Sequence, residues 1–220
     1  TAGVFILCNI WYLLIYSIEK GKFTVITGSS GSGKTTLFNM IGGLDYPDSG
    51  SVVVDNIELK DMKEKQLAVF RRSKIGFIYQ NYNLIPSLTI KENILFSVNL
   101  GKQAVDKEFF REITGFLKLE NRLDAYPGQL SGGGQQRVSI ARALMLKSGI
   151  VLADEPTGNL DSCTSQEVLG LLKSAAQTYR QTLVMITHNL DIAQMADRVV
   201  RMEDGQILER TGRMQWKTTI

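Results

Sequence analysis

Residues 23–36 of the chain read FTVITGSSGSGKTT. The apolar run Phe23–Thr27 is typical of a strand, and Lys34–Ile41 has the apolar spacing of a helix. The residues between them fit G-x-x-x-x-G-K-[ST] at every fixed position, and the strand and helix supply the context that this motif requires. A flexible Gly/Ser-rich turn is the alternative interpretation, but it does not explain the lysine and threonine. The stretch therefore predicts an α/β fold with a loop that binds phosphates.

The chemistry of this loop depends on its backbone. Glycines let the chain curl so that N–H groups point inward, and the following helix presents its positive end to an anion. We expect Lys34 to reach the β- and γ-phosphates of a nucleotide, and the Thr35 hydroxyl to coordinate Mg²⁺. The candidate phosphate-binding residues are Gly28, Ser29, Ser30, Gly31, Ser32, Gly33, Lys34, Thr35 and Thr36.

Two adjacent acids follow a second short apolar run. Ile150–Ala153 leads directly into Asp154 and Glu155, and the carboxyl ends of parallel strands face the ligand crevice of such a sheet. We expect Asp154 to help hold Mg²⁺ and Glu155 to polarise the attacking water as a general base. A solvated acidic turn that ends a strand is the alternative.

The order of predicted elements indicates a mainly parallel sheet with an insertion. Strands alternate with helices, with a strand predicted at Ile75–Tyr79 and a helix at Ser165–Tyr179. In a central interval the apolar spacing is instead helical throughout. We predict a core from 19–86 and 148–210, and a helical subdomain at 87–147. Residues 1–18 form a separate apolar segment, and 211–220 form a tail.

Composition excludes several classes of protein. Hydrophobic residues make up 44% and charged residues 21% of the 220 residues, as in globular domains rather than disordered chains. The net charge of +3 gives no argument for a nucleic-acid partner. Two distant cysteines and a single histidine exclude a structural zinc site.

The N-terminal segment leaves two interpretations open. Residues 2–18 carry no charge, and their number is at the lower limit for a membrane-spanning helix of about 17–25 residues. The segment has no basic start and no cleavage site of the kind found in signal peptides. Its branched and aromatic residues also suit buried strands.

Residues 130–137 read LSGGGQQR, which is similar to the signature Leu-Ser-Gly-Gly-Gln in the ATPase subunits of ABC transporters. Other matches occur in the order of that family: the phosphate loop, Gln80 after a strand, the acids in 154–161, and His188 after another strand. The resemblance extends from about residue 18 to 208. It implies a P-loop NTPase core of the RecA-like type, with a small antiparallel β portion and an inserted helical signature subdomain.

Three further short stretches of the sequence resemble one branch of the family. Residues 41–45 (IGGLD), 83–86 (NLIP) and 155–162 (EPTGNLDS) are similar to the lipoprotein-releasing and macrolide-exporting group. That group also includes ATPase subunits paired with permeases that confer resistance to antimicrobial peptides.

The resemblance also implies how the motifs work. In the family the signature contacts the γ-phosphate bound by the opposite subunit, so that a head-to-tail homodimer holds two ATP molecules. This places Ser131, Gly132, Gly133 and Gln135 among the nucleotide contacts, and Ser131 is suited to cap the helix that follows. Gln80 is expected to contact Mg²⁺ and the water.

These assignments give a catalytic set and a set of Mg²⁺ contacts. His188 is expected to contact the γ-phosphate, and Asp161 to help the dimer contacts. The expected catalytic residues are Glu155, His188 and Gln80, and the expected Mg²⁺ contacts are Thr35, Gln80 and Asp154.

The match fails at two places. Gly134 stands where the signature has glutamine, which removes a donor and loosens the start of the helix by up to about 1 kcal/mol. We therefore expect reduced rather than abolished activity. No aromatic residue is in register to stack on adenine, since Trp11, Tyr12 and Tyr16 are displaced from the position used in the family. We assign no adenine contact.

The resemblance predicts an ATP-hydrolysing subunit that energises a separate membrane permease at the cytoplasmic face of the plasma membrane, for export or extraction of a lipophilic or peptide substrate. A regulatory subunit with weak hydrolysis is one alternative. A soluble ATPase of DNA repair or translation is another, but 220 residues hold neither its long coiled-coil insertion nor a second ATPase domain. No nucleic-acid partner is expected.

Overall fold

The computed structural model describes residues 4–10 and 12–212. Within these ranges the strands are β1 (Val4–Ile10), β2 (Tyr12–Ile18), β3 (Phe23–Gly28), β4 (Gly50–Val54), β5 (Ile57–Glu58), β6 (Ile75–Tyr79), β7 (Ile150–Asp154), β8 (Thr182–Ile186), β9 (Arg198–Glu203) and β10 (Gln206–Gly212). The helices are α1 (Lys34–Ile41), α2 (Glu64–Lys74), α3 (Ile90–Leu100), α4 (Lys107–Phe116), α5 (Gly132–Leu144), α6 (Ser162–Thr178) and α7 (Leu190–Gln194). Two short 3₁₀ helices, Glu120–Arg122 and Pro127–Gln129, lie between α4 and α5.

The described residues form two compact units. One comprises the residues up to Met62 together with those from Thr182 onward, and the other is Lys63–Gln181. The predicted helical subdomain, 87–147, lies within the second unit. Strand β10 continues to Gly212, so the predicted tail includes the end of a strand, and the rest of it lies outside the described residues.

The first unit contains a set of mainly parallel strands. β3 pairs in parallel with β8, with Ile26 opposite Ile186, and also with β9. β10 returns antiparallel along β9. Every residue of β8 is buried, as are the first five residues of β3, which agrees with their mostly apolar sequences.

An antiparallel sheet completes the first unit, in the order β2-β1-β4-β5. β1 pairs with β2 from Val4 opposite Ile18, and with β4 through Cys8 opposite Gly50. The described part of the N-terminal segment, Val4–Ile10 and Tyr12–Ile18, therefore forms strands, which decides between the two interpretations left open by its sequence. No helix among the described residues is long and apolar enough to span a membrane. Trp11 lies outside the described residues.

The second unit places two parallel strands among helices. β6 and β7 are in register from Ile75 opposite Ile150 to Tyr79 opposite Asp154. Helix α5 buries apolar residues that include Val138 and Leu144, and it packs closely on β6. A β-carbon at Gly76 would lie 2.8 Å from the backbone oxygen of Ala143.

The predicted fold class is confirmed: the chain is α/β, with a mainly parallel sheet and a small antiparallel one. The predicted bounds of α1 and β6 match the observed ones. Helix α6 was predicted from Ser165 but begins at Ser162, because the Asp161 carboxylate accepts hydrogen bonds from the backbone N–H groups of Cys163 and Thr164. An aspartate in this position is a common helix start, and the helical spacing alone had missed it.

We expect Gly76→Ala to destabilise the protein by about 1–3 kcal/mol, because the added methyl group meets the backbone of α5 and one element must move. Gly170→Ala is the matched control: it lies within α6, and its β-carbon would meet no atom within 4 Å. There the helix propensity of alanine should stabilise the protein by up to about 1 kcal/mol. Urea denaturation followed by circular dichroism measures both, and an unchanged midpoint for Gly76→Ala would contradict the close packing of α5 on β6.

Candidate nucleotide-binding site

The phosphate loop joins β3 to α1 in the first unit. Gly33 caps α1 with φ at 94°, in the left-handed region, where residues with a β-carbon are disfavoured. The cap supplies no side-chain acceptor for the first turn of the helix. The N–H groups of that turn are therefore available to an anion, together with the positive end of the helix.

Lys34 lies over the loop that precedes it. Its Nζ donates to the backbone oxygen of Ser29 at 2.6 Å and to that of Gly28 at 2.9 Å, with Ser32 Oγ at 3.4 Å. The ammonium group is thus held where the loop curls, by oxygens that a phosphate oxygen could replace. Gly205, in the β9–β10 turn, donates its backbone N–H to the Ser32 oxygen at 3.1 Å and secures the loop.

The predicted contact residues of the loop differ in exposure. Ser32 is buried, and the residues exposed to a ligand are Ser29, Ser30, Gly31, Thr35 and Thr36. The Ser32 side chain contacts Lys34 inside the loop, and its backbone N–H donates to the Ser29 oxygen at 3.3 Å.

His188 follows β8 at the same end of the strands as the phosphate loop. β3 and β8 are parallel with Ile26 opposite Ile186, so Gly28 and His188 come at equivalent distances beyond this pair. The His188 side chain is exposed. Within the first unit the structure therefore brings the predicted histidine to the edge that carries the loop.

The acidic pair lies at the corresponding edge of the second unit. Asp154 is the last residue of β7, opposite Tyr79 of β6. Glu155 has φ at 43°, a region that costs a residue with a β-carbon about 1–3 kcal/mol. Its backbone oxygen accepts a hydrogen bond from the N–H of Gly158 at 3.0 Å, which closes the turn that holds this backbone in place.

Gln80 extends from the adjacent strand and is held by an asparagine. Its Nε2 donates to Asn159 Oδ1 at 3.2 Å, while Asn159 Nδ2 donates to the Gln80 oxygen at 3.1 Å and to Asn81 Oδ1 at 3.0 Å. The structure therefore gathers Gln80, Asp154 and Glu155 at one edge of β6 and β7. A role for Asn159 beside Gln80 was not predicted from the sequence; its position in the EPTGNLD stretch was the available signal for it.

The signature begins helix α5. Ser131 is its N-cap, as predicted, with Oγ accepting from the Gly134 N–H at 3.3 Å. Gly133 and Gly134 are buried. Gln135 Nε2 donates to the Leu130 oxygen at 3.2 Å, so its amide is engaged with its own segment.

The departure at Gly134 has a local consequence. A β-carbon there would lie 2.9 Å from Leu130 Cδ2, so the glutamine found in other signatures would require Leu130 to move.

Asp161, predicted to help dimer contacts, caps α6, and hydrogen bonds led by that from the Thr164 hydroxyl lower the pKa of its carboxyl group. Its part in a dimer stays a prediction.

Known proteins that resemble this chain identify its family. The sequence model described as ABC transporter matches residues 14–158. The lipoprotein-releasing system ATP-binding protein LolD of Cytophaga hutchinsonii is 43% identical over 88% of this chain and 89% of its own length. The macrolide export ATP-binding/permease protein MacB of Rhodopirellula baltica is 44% identical over 88% of this chain, which spans only 29% of that longer protein.

A solved structure is also similar to this chain. The dimeric, post-hydrolysis state of the ATP-binding cassette MJ0796, bound to ADP and Pi, superimposes with a TM-score of 0.81 and 38% identity, covering 93% of this chain and 90% of that one. The resemblance to the lipoprotein-releasing and macrolide-exporting branch is confirmed by these relatives. The chain belongs to the ABC transporter family, as one of its ATP-binding ATPase cassettes.

Proposed function

We propose that this chain is the ATP-hydrolysing subunit of a transporter whose permease is a separate polypeptide. The observation that carries the proposal is the Lys34 ammonium held over a glycine loop at the start of α1. The loop amides and this ammonium group bind the β- and γ-phosphates. The phosphate oxygens take the place of the backbone oxygens that Lys34 Nζ contacts in the structure. Binding in this form neutralises the phosphate tail without requiring water.

The residues present suit Mg²⁺ brought in with the nucleotide. Thr35 offers an exposed hydroxyl, Asp154 a carboxylate and Gln80 an amide oxygen, and oxygen donors are the ligands that Mg²⁺ prefers. No three His, Cys, Asp or Glu side chains of the described residues are grouped so as to hold a metal ion, whereas Mg²⁺ typically uses one or two carboxylates and substrate phosphates. When bound, the ion supplies charge neutralisation on the phosphates.

Glu155 is the proposed general base. Its left-handed backbone is a local strain of the kind found at functional sites, and it directs the side chain from the end of β7. Gln80, held by Asn159, orients the water. His188, which extends from the edge that carries the phosphate loop, contacts the γ-phosphate.

A head-to-tail homodimer completes each site in our proposal. Ser131, Gly132, Gly133 and Gln135 of one subunit meet the γ-phosphate bound by its partner. Gly132 and Gly133 do so through the N-terminal amides of α5, and Gln135 through a side-chain amide that then releases the Leu130 oxygen. The solved dimer of MJ0796 supports this assembly. Gly134 leaves these amides in place but removes one side-chain donor. We therefore expect slower ATP hydrolysis rather than a loss of ATP binding.

The permease docks on the segment 79–86, around Gln80, in this proposal. The chain thereby becomes peripheral to the cytoplasmic face of the plasma membrane. The names of LolD and MacB support export or extraction of a lipophilic or peptide substrate, which the permease selects. The helical interval 87–147 serves as the subdomain that presents the signature.

We expect Lys34→Ala to weaken the binding of MgATP by at least about 100-fold, equivalent to about 2.7 kcal/mol, because the phosphate tail loses its principal counter-charge. Isothermal titration calorimetry measures the change. Lys60→Ala, which removes an exposed lysine outside the loop, is the matched control and should bind as the wild type does. Equal affinity in Lys34→Ala would contradict the proposed role of the loop.

We expect Glu155→Gln to lower kcat for ATP hydrolysis by about 10²–10⁴-fold, the usual contribution of a general base, and to accumulate an ATP-bound dimer. Phosphate release and light scattering with MgATP measure the two effects, and Glu108→Gln, an exposed site on α4, is the control. A variant that stays monomeric would contradict the ATP-sandwiched dimer. A wild type that binds MgATP but hydrolyses it no faster than Glu155→Gln would instead favour the regulatory alternative.

A further inference from the structure

The turn that follows Gln80 adopts an uncommon backbone. Tyr82 and Asn83 have φ of 60° and 48°, so two successive residues with β-carbons occupy the left-handed region, which such residues visit infrequently. The Tyr82 N–H bonds to the Tyr79 oxygen at 3.1 Å. The turn therefore needs contacts from elsewhere in the second unit to keep one conformation.

Arg142 of helix α5 provides such a contact. Its Nη1 donates to the Asn83 oxygen at 2.6 Å, and its Nη2 donates to the Tyr82 oxygen at 2.8 Å. Two adjacent carbonyls are thus held by one planar guanidinium, a geometry that the single ammonium of lysine does not reproduce. Burial lowers the pKa of Arg142, so this cation is kept in a partly desolvated place and is satisfied there by backbone oxygens.

The same turn contacts the start of α5. A β-carbon at Gly132 would lie 2.8 Å from Tyr82 Oη, so the ring of Tyr82 lies against the signature while its backbone oxygen binds Arg142. Gly132 and Arg142 are separated by about 15 Å along the helix axis at 1.5 Å per residue. Tyr82 therefore contacts α5 at two well-separated points, and such a turn cannot pivot freely on the helix.

Other buried polar side chains of α5 do not provide this connection. Gln136 and Ser139 are fully buried, yet the Gln136 amide and the Ser139 hydroxyl have no hydrogen-bond partner among the described residues. Arg137 bonds to the Gly133 oxygen and pairs with Glu167 on α6. The polar connection between α5 and the turn after β6 is thus made by Arg142.

We propose that Arg142 is a positioning residue that holds the turn carrying Gln80 at a set placement on the signature helix. A shift of this turn is then passed to Gly132 through Tyr82, and a shift of the signature is passed back to Gln80. The proposal rests on the proposed function, because it is Gln80 and the signature that give this coupling its consequence. In this proposal Arg142 acts through the Tyr82 and Asn83 carbonyls that it holds.

Hydrogen–deuterium exchange tests the coupling independently of hydrolysis. In Arg142→Lys we expect amide exchange to rise about tenfold in the turn 81–84 and at the signature residues 132–135, and to stay unchanged in α4. Arg111→Lys is the matched control, because Arg111 is exposed and, within 4–10 and 12–212, its Nε bonds to the Lys107 oxygen on the same helix. Tyr82→Ala, which removes the ring and keeps the backbone oxygen, is expected to raise exchange at 132–135 as well.

Steady-state hydrolysis tests the consequence. Arg142→Lys is expected to lower kcat about tenfold with KM for ATP changed less than twofold, and to add nothing further to Gln80→Ala, because both act on the same group. Unchanged exchange at 132–135 in both Arg142→Lys and Tyr82→Ala would overturn the inference, as would effects of Arg142→Lys and Gln80→Ala that multiply. A wild type without hydrolysis would count against the proposed function alone, and the exchange result would still decide the role of Arg142.

Discussion

Neighbouring strands of a parallel sheet have their carboxyl ends at the same edge of the sheet. The proposed chemistry of this chain depends on that constraint. In the first unit, β3 and β8 end together, so the phosphate loop and His188 follow adjacent strands. In the second, β6 and β7 end together at Tyr79 and Asp154, so Gln80 and the acidic pair follow adjacent strands. Each group of side chains is thus assembled by strand register rather than by proximity in sequence.

Positive φ angles, which residues with a β-carbon adopt infrequently, recur at these edges. Glycine accommodates one of them at Gly33, but Glu155, Tyr82 and Asn83 adopt positive φ with a β-carbon present. Each of these turns has a visible restraint: the Gly158 N–H bonds to Glu155, and the Arg142 guanidinium holds the carbonyls of Tyr82 and Asn83. Strain held in this way favours a single placement of the side chains that are proposed to meet the nucleotide.

Local sequence was sufficient for much of this account. The phosphate loop, α1 and β6 were predictable because apolar spacing, glycines and a lysine act within a few residues of one another. The contacts of Gln80 with Asn159, and of Arg142 with the Tyr82 and Asn83 oxygens, join positions about 60–80 residues apart. Backbone acceptors leave no residue type to recognise, so only the fold reveals them. The N-terminal strands were left open because a continuous apolar run does not distinguish a strand from a helix.

The central claim is that the amides of the loop, with Lys34, hold a nucleotide by its phosphates. Two-dimensional ¹H–¹⁵N NMR of the labelled chain, titrated with MgATP and separately with adenosine, measures this directly. We expect large shifts of the amide signals of Gly31, Gly33, Lys34 and Thr35 with MgATP and almost none with adenosine. Loop amide signals that do not shift with MgATP, or that shift equally with adenosine, would contradict binding through the phosphates.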